Sequence, residues 1–430
     1  MEIMQKETTG TDIPREYVEM TFVKETATGR GRNEIFIMEN MHNGTMKITE
    51  GRIGITVGRY KPKVQTRPIE DWDFIFELRR AKGYLPTKTT KMDKVEVTKG
   101  AGANGQSYDP IPDASVAAFV EELMSYAKQV FEKSYTVKVN NISDEMISLG
   151  EKVLKELADG AQNMSVAEFN NKLKLLFAVI PRRMDNLSKH LAKRKSDFPG
   201  IISDEQDLFD IMISQVRNEN GVAISGKTVL DANGLTMRLA NKEEQEYIRK
   251  LLKGNSHKYM EAYRVTNRQT AEALDDFATL HGLDFEDGSI THLFHGTRNE
   301  NVWSILTTGL KNRPPKDAVI TGKAYGQGTY FAPDAQKSLG YTSKMGSKWA
   351  NGTSPYGFLL ICKVAIGPEE THYDGRLGCD PSLDAAKLQK IAPGALCTWA
   401  KARYSGFLMD EVIVYQDDQS TIEYIVKMSM

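Results

Sequence analysis

The chain has 430 residues, 56 basic and 57 acidic side chains, a formal net charge of −1 and 40% hydrophobic content. That is enough for about three packed domains, with no global charge that would announce nucleic acid. Its three cysteines, Cys362, Cys379 and Cys397, have neither metal-ligand spacing nor an even count, which excludes zinc fingers and points to a reducing intracellular compartment. No apolar run approaches transmembrane length and Met1 to Arg15 is polar, which argues against secretion and membrane insertion.

Taken in chain order, residues 1–97 read as a small β-rich module. Ile35–Glu39 and Lys47–Thr49 are strands joined by Asn43-Gly44, a hairpin turn signal. Gly51–Ile55 follows, then a helix carrying Trp72, Phe74, Ile75 and Leu78 and ending near Gly83. Residues 98–110 are glycine-rich and aperiodic, a flexible linker.

From 111 to 220 the pattern is all-helical. Val116, Phe119, Val120, Leu123, Ala127 and Val130 form one apolar stripe, and Met146, Leu149, Val153 and Leu157 a second. Ser165 with Glu168 is a capping box opening a third helix, through Phe169, Leu173 and Leu176, which Pro181 stops. Ser203 with Gln206 is expected to cap a fourth, carrying Leu208, Ile211 and Met212.

Residues 221–430 alternate strands and helices. Leu235–Leu239 is a strand, Tyr247–Leu252 lies on a helix, and Phe358–Val364 is a central strand. Phe294 and His295 end an apolar segment, and Val302, Ile305, Leu306 and Leu310 recur at helical spacing, with Gly309 as the stop. His295, Gly296 and Thr297 therefore sit at a strand-to-helix junction, where glycine lets a ligand approach the main chain. After Gly322 comes Gly326-Gln327-Gly328-Thr329-Tyr330-Phe331-Ala332, a turn entering a β-prone stretch. It is not a dinucleotide fingerprint: the third glycine is missing, and Tyr-Phe-Ala replaces the start of a phosphate-binding helix. Ser338 and Tyr341 put a hydroxyl and a flat ring three residues apart on a short helix, which suits a planar amide ring. Glu411 opens Val412-Ile413-Val414, a β-branched run expected to be a buried strand. A carboxylate there is costly without a partner or a task. Such a group can stabilise a ribose oxocarbenium ion, as in glycoside cleavage.

In this order the residues resemble the catalytic domain of the poly(ADP-ribose) polymerase family, an α+β split-sheet ADP-ribosyltransferase fold within an α/β multidomain chain. The resemblance implies NAD⁺ as substrate, no metal, and a catalytic triad of His295, Tyr330 and Glu411. It implies that His295 holds the adenosine ribose, that Gly296 and Ser338 hold the nicotinamide carboxamide, and that Tyr330 and Tyr341 sandwich its ring. Thr297, Gly322 and Lys337 complete the implied NAD⁺ contacts. Protein acceptors, the chain itself included, are the implied partners. The module at 1–97 resembles a WGR domain, with Glu50 where the naming tryptophan belongs; Asn33 and Arg52 are the implied contacts to DNA ends or nicks. The helices at 111–220 resemble the regulatory domain that screens the NAD⁺ site in DNA-activated members. Lack of zinc fingers and of a basic N-terminal arm tilts the source toward a bacterium or virus and the location toward cytoplasm, with a nucleus implied for a eukaryote. Ala324, where elongating members carry a larger side chain, weakens the expectation of long polymers. Mono-ADP-ribosyl transfer, NAD⁺ glycohydrolysis without DNA, and DNA-break sensing with residual transfer stay open as alternatives.

Overall fold

The structure is a computed structural model that describes residues 15–25, 31–53, 61–88, 108–184, 186–220, 227–312, 324–342, 354–375 and 379–429. Strands β1 (Tyr17–Glu25), β2 (Gly31–Asn40), β3 (Thr45–Arg52) and β4 (Lys63–Pro68) precede helix α1 (Trp72–Ala81) and strand β5 (Leu85–Lys88). Helices α2 (Ala114–Ser134), α3 (Asp144–Gly160), α4 (Val166–Val179) and α5 (Phe198–Asn220) follow. The chain divides into two compact units, one of residues 1–105 and 132–201, the other of residues 106–131 and 202–430.

In the first unit the expected hairpin is present: β2 and β3 pair antiparallel, and the turn between them places Gly44 at φ 80°, where a side chain is disfavoured. The sheet runs β4-β3-β2-β1-β5, with antiparallel neighbours. Strand alternation turns Val18, Met20, Phe36, Met38, Met46 and Ile48 to one face, where Trp72 and Phe76 of α1 cover them. Phe74 and Leu78, expected alongside Trp72, are instead 72% and 42% exposed. Two residues along a helix is a turn of about 200°, so Phe74 faces away from Trp72. Ser143 caps α3 by accepting from the Met146 amide, and Ser165 and Glu168 form the expected capping box on α4. The fourth helix corrects the expectation: it begins at Phe198, five residues before Ser203. Pro199 lies in its first turn, where a missing N–H costs nothing.

In the second unit come α6 (Val229–Ala232), β6 (Leu235–Leu239), α7 (Lys242–Leu252), β7 (Tyr259–Asn267), α8 (Arg268–His281), β8 (Ile290–Gly296) and α9 (Asn299–Thr308). Then follow β9 (Thr329–Phe331), α10 (Ala335–Leu339), β10 (Tyr356–Ala365), β11 (Tyr373–Asp374), α11 (Ala385–Ile391), β12 (Cys397–Ala400), α12 (Ala402–Ser405), β13 (Glu411–Val414) and β14 (Ser420–Ser429). Two sheets form, β6-β7-β14-β10-β8 and β11-β12-β13-β9. Strand β10, expected to be central, is an interior strand between β14 and the edge strand β8, with Phe358 to Cys362 wholly buried. On one side its residues pack with Trp303 and Leu306 of α9 and with the apolar stripe of α2, where the Phe119 ring stacks on Tyr263 at 4.0 Å. On the other, Leu359 and Ile361 meet Ile248 and Leu252 of α7 and Leu339 of α10. The two sheets meet where Phe294 on β8 and Ala332 just after β9 exchange two backbone hydrogen bonds of 2.9 Å.

Candidate active site

That joint assembles the site. His295, one residue beyond it on β8, lies 3.0 Å through Nδ1 from the Tyr330 carbonyl oxygen. A carbonyl only accepts, so Nδ1 carries the proton, and in the neutral ring Nε2 is the acceptor. Gly296 follows because α10 presses on it: a Cβ there would lie 1.8 Å from the Ser338 carbonyl oxygen. The Ser338 hydroxyl donates to the Phe294 carbonyl at 3.0 Å, fastening α10 to β8. Thr297 is buried, with its hydroxyl oxygen 3.4 Å from the Asn301 side-chain amide nitrogen.

The Gly326-x-Gly328 turn is shaped by packing. Gly326 has φ 75°, and a Cβ on it would lie 1.9 Å from the Leu383 carbonyl; one on Gly328 would lie 2.3 Å from Ile413 Cγ2. The turn is closed by Tyr330, whose hydroxyl accepts from the Tyr325 amide and donates to the Gly326 carbonyl, both at 3.0 Å. Burial pushes this phenol well above its ordinary range, with the nearby Glu411 charge acting in the same direction. Its hydroxyl therefore serves the turn.

Strand β13 opens at Glu411, as its sequence implies, and pairs with β9 so that Ile413 opposes Tyr330. Glu411 is 7% exposed. The charge is compensated by Lys337 of α10, whose Nζ is 2.8 Å from Oε1 and 5.1 Å from the centre of the Phe407 ring. Tyr341 lies just past α10 and is 58% exposed. Gly322 lies outside the described residues.

Beside the joint is a cavity of about 290 Å³, lined by His295, Thr297, Tyr330 and Gly328 and by Ser203, Gln206, Asp207 and Asp210 of α5. Its size is near the lower end for small-ligand pockets. Burial, reinforced by Asp210, raises the Asp207 carboxyl to about 7. Those four α5 residues escape a reading of the sequence: at i, i+3, i+4 and i+7 they make a polar stripe, which by itself signals a solvated helix face. Among the described residues no group of three or more His, Cys, Asp or Glu side chains is placed to hold a metal ion.

In the first unit, Glu50 is paired with Arg79, whose guanidinium lies 4.0 Å from the centre of the Phe36 ring, so its carboxylate is neutralised within the module. The Asn33 side-chain amide donates to the Arg182 carbonyl at 2.7 Å and is committed to that contact. Arg52 is exposed at the end of β3.

Residues 242–430 match the poly(ADP-ribose) polymerase catalytic domain. A putative poly(ADP-ribose) polymerase-like protein of Invertebrate iridescent virus 6 is 39% identical over 134 residues, 31% of this chain and 68% of that protein. The chain belongs to the poly(ADP-ribose) polymerase family. Poly(ADP-ribose) polymerase 1 of Gallus gallus is 24% identical over 292 residues, 63% of this chain and 27% of that protein. Its counterpart in Danio rerio is 21% identical over 458 residues, 93% of this chain and 44% of that protein. The matched region holds β8, β9 and β13, and with them His295, Tyr330 and Glu411. It is a catalytic domain homologous to NAD⁺ ADP-ribosyltransferases, in a family that uses NAD⁺ as substrate.

Proposed function

We propose that the protein transfers the ADP-ribosyl group of NAD⁺ to protein acceptors, itself included, elongates these to poly(ADP-ribose), and is stimulated by DNA breaks. The observation that carries this reading is the placement of His295, Tyr330 and Glu411 around one joint between two sheets, with a cavity beside it. In this reading His295 Nε2 accepts from an adenosine ribose hydroxyl. The Gly296 main chain and Ser338 hold the carboxamide, the hydroxyl turning from Phe294 to donate to it. The Tyr330 and Tyr341 rings flank the nicotinamide, with Thr297 and Gly322 completing the contacts. The bond between ribose C1 and the nicotinamide nitrogen breaks with its electron pair leaving on nicotinamide. The acceptor oxygen then bonds C1 and its proton passes to water. Glu411 hydrogen-bonds a ribose hydroxyl and stabilises the cation between these events, with Lys337 fixing the carboxylate.

The proposed domains are a WGR-like module at 1–97, a linker at 98–110, a helical regulatory domain at 111–220 and the catalytic domain at 221–430. Support for regulation lies in α5, whose Ser203, Gln206, Asp207 and Asp210 line the cavity beside His295. The test is incubation with labelled NAD⁺, with and without nicked DNA, for wild type and Glu411→Gln. The variant is expected to bind NAD⁺ nearly as well and transfer roughly 10²-fold less or worse, and gel resolution separates single adducts from ladders. Equal transfer by both proteins would overturn the assignment of Glu411.

A further inference from the structure

Glu411 begins its strand at the end of a long excursion. Strands β12 and β13 pair so that Ala400 opposes Glu411, and residues 401–410 leave the sheet between them. This segment carries α12 and Phe407, whose ring meets Tyr325 at 5.6 Å and the Lys337 ammonium at 5.1 Å. Lys337 in turn holds Glu411. The neck of the excursion is closed by one side chain, Asp410. Its Oδ2 accepts from the Trp399 indole N–H at 3.0 Å and its Oδ1 from the Ala402 amide at 2.9 Å. The second bond supplies the cap that Lys401, the residue before α12, does not make. The Trp399 ring is held flat against His372, with centroids 5.3 Å apart.

We propose that Asp410 is a positioning residue for the transfer reaction, fixing Glu411 and the Phe407–Lys337 contact that supports it. The inference rests on the assignment of Glu411 made above. Both partners of Asp410 are donors, so the position requires two acceptors. A carboxylate has them; an amide turns an N–H toward one donor whichever way it flips.

The experiment is a double-mutant cycle on the full chain, read as nicotinamide release at varied NAD⁺, with thermal midpoints alongside. Asp410→Asn is expected to lower kcat about 10-fold with KM within about 2-fold, a displacement short of the 10²-fold that a 1 Å error can cost. Trp399→Phe removes the indole N–H but keeps the stack on His372. In that background the amide of Asp410→Asn meets one donor with its oxygen, so the double variant should recover kcat relative to Asp410→Asn alone. A wild-type kcat for Asp410→Asn, or a loss that Trp399→Phe does not relieve, overturns the proposal. If Asp410→Asn does not fold, Trp399→Phe alone decides: it should lower kcat a few-fold at unchanged KM, and a wild-type kcat overturns the proposal. Glu411→Gln run in parallel separates the two readings, because full activity there removes the assignment of Glu411 itself.

Discussion

Gly296→Ala tests the packing of α10 against β8 most directly. The added Cβ would lie 1.8 Å from the Ser338 carbonyl oxygen, 2.7 Å from its carbon and 3.1 Å from its Cα. All three are main-chain atoms of α10, so no side chain can rotate away. Ordinary contact requires β8 and α10 to separate by about 1.5 Å. Overpacking of this kind costs typically 1–3 kcal/mol, and the bond from the Ser338 hydroxyl to the Phe294 carbonyl, 3.0 Å in the wild type, would be lost for about 1 kcal/mol more. For a unit of this size the midpoint should fall by roughly 5–12 °C. A displacement of that size at the pocket should also cost about 10²-fold in nicotinamide release. Ser338→Ala is the control, losing the hydroxyl without the overlap and therefore only the smaller share of stability. Thermal midpoints and nicotinamide release measure both effects. A Gly296→Ala protein with wild-type midpoint and rate would refute the close approach of α10 and β8 on which the site is built.

The half-buried Asp207 carboxyl, raised to about 7 against about 3.9 unfolded, contributes stability that is complete below about pH 4 and lost as pH rises through 7. Asp207→Asn should flatten the fall in thermal midpoint between pH 5 and 8, and an unchanged slope would remove Asp207 as its source. Glu244 is the opposite case: a bidentate bond from Arg238, with Arg264 adding another, holds it near 2. Its stabilisation is present above about pH 4.3 and disappears as pH falls through 2, so Glu244→Gln should cost on the order of 2 kcal/mol in urea unfolding at pH 7, with the two proteins converging at pH 2. Arg52→Ala should weaken binding to DNA ends and reduce its salt dependence by about 0.9 log unit per tenfold salt. Unchanged binding and unchanged DNA stimulation would redirect the search to a protein or RNA activator.

The parts of the site fixed by neighbouring residues are legible in the chain. His295 and Gly296 end an apolar run before a helical one, and Glu411 precedes three β-branched residues; strand and helix fall where these patterns put them. What depends on distant pairing is not legible. Nothing local says that β13 lies between β12 and β9, that Gly328 must clear Ile413, or that Tyr330 spends its hydroxyl on its own turn. The start of α5 was hidden for a related reason. Ser203 and Gln206 imitate a cap, yet the helix is already under way at Phe198, and the polar stripe that would be solvated on an isolated helix faces the cavity instead.

The joint between the sheets divides the three proposed catalytic residues unequally. His295 belongs to the five-stranded sheet, whereas Tyr330 and Glu411 sit on adjoining strands of the four-stranded one. The connection at this point includes the Phe294–Ala332 pair, the imidazole contact to Tyr330 and the edge-on approach of the His295 and Phe331 rings. The distance between Tyr330 and Glu411 is therefore a property of one sheet, and the distance from either to His295 a property of the seam. Substitutions that shear the seam should move His295 and Gly296 together against a Tyr330–Glu411 pair whose spacing is unchanged, so the spacing within one sheet and the spacing across the seam can vary separately.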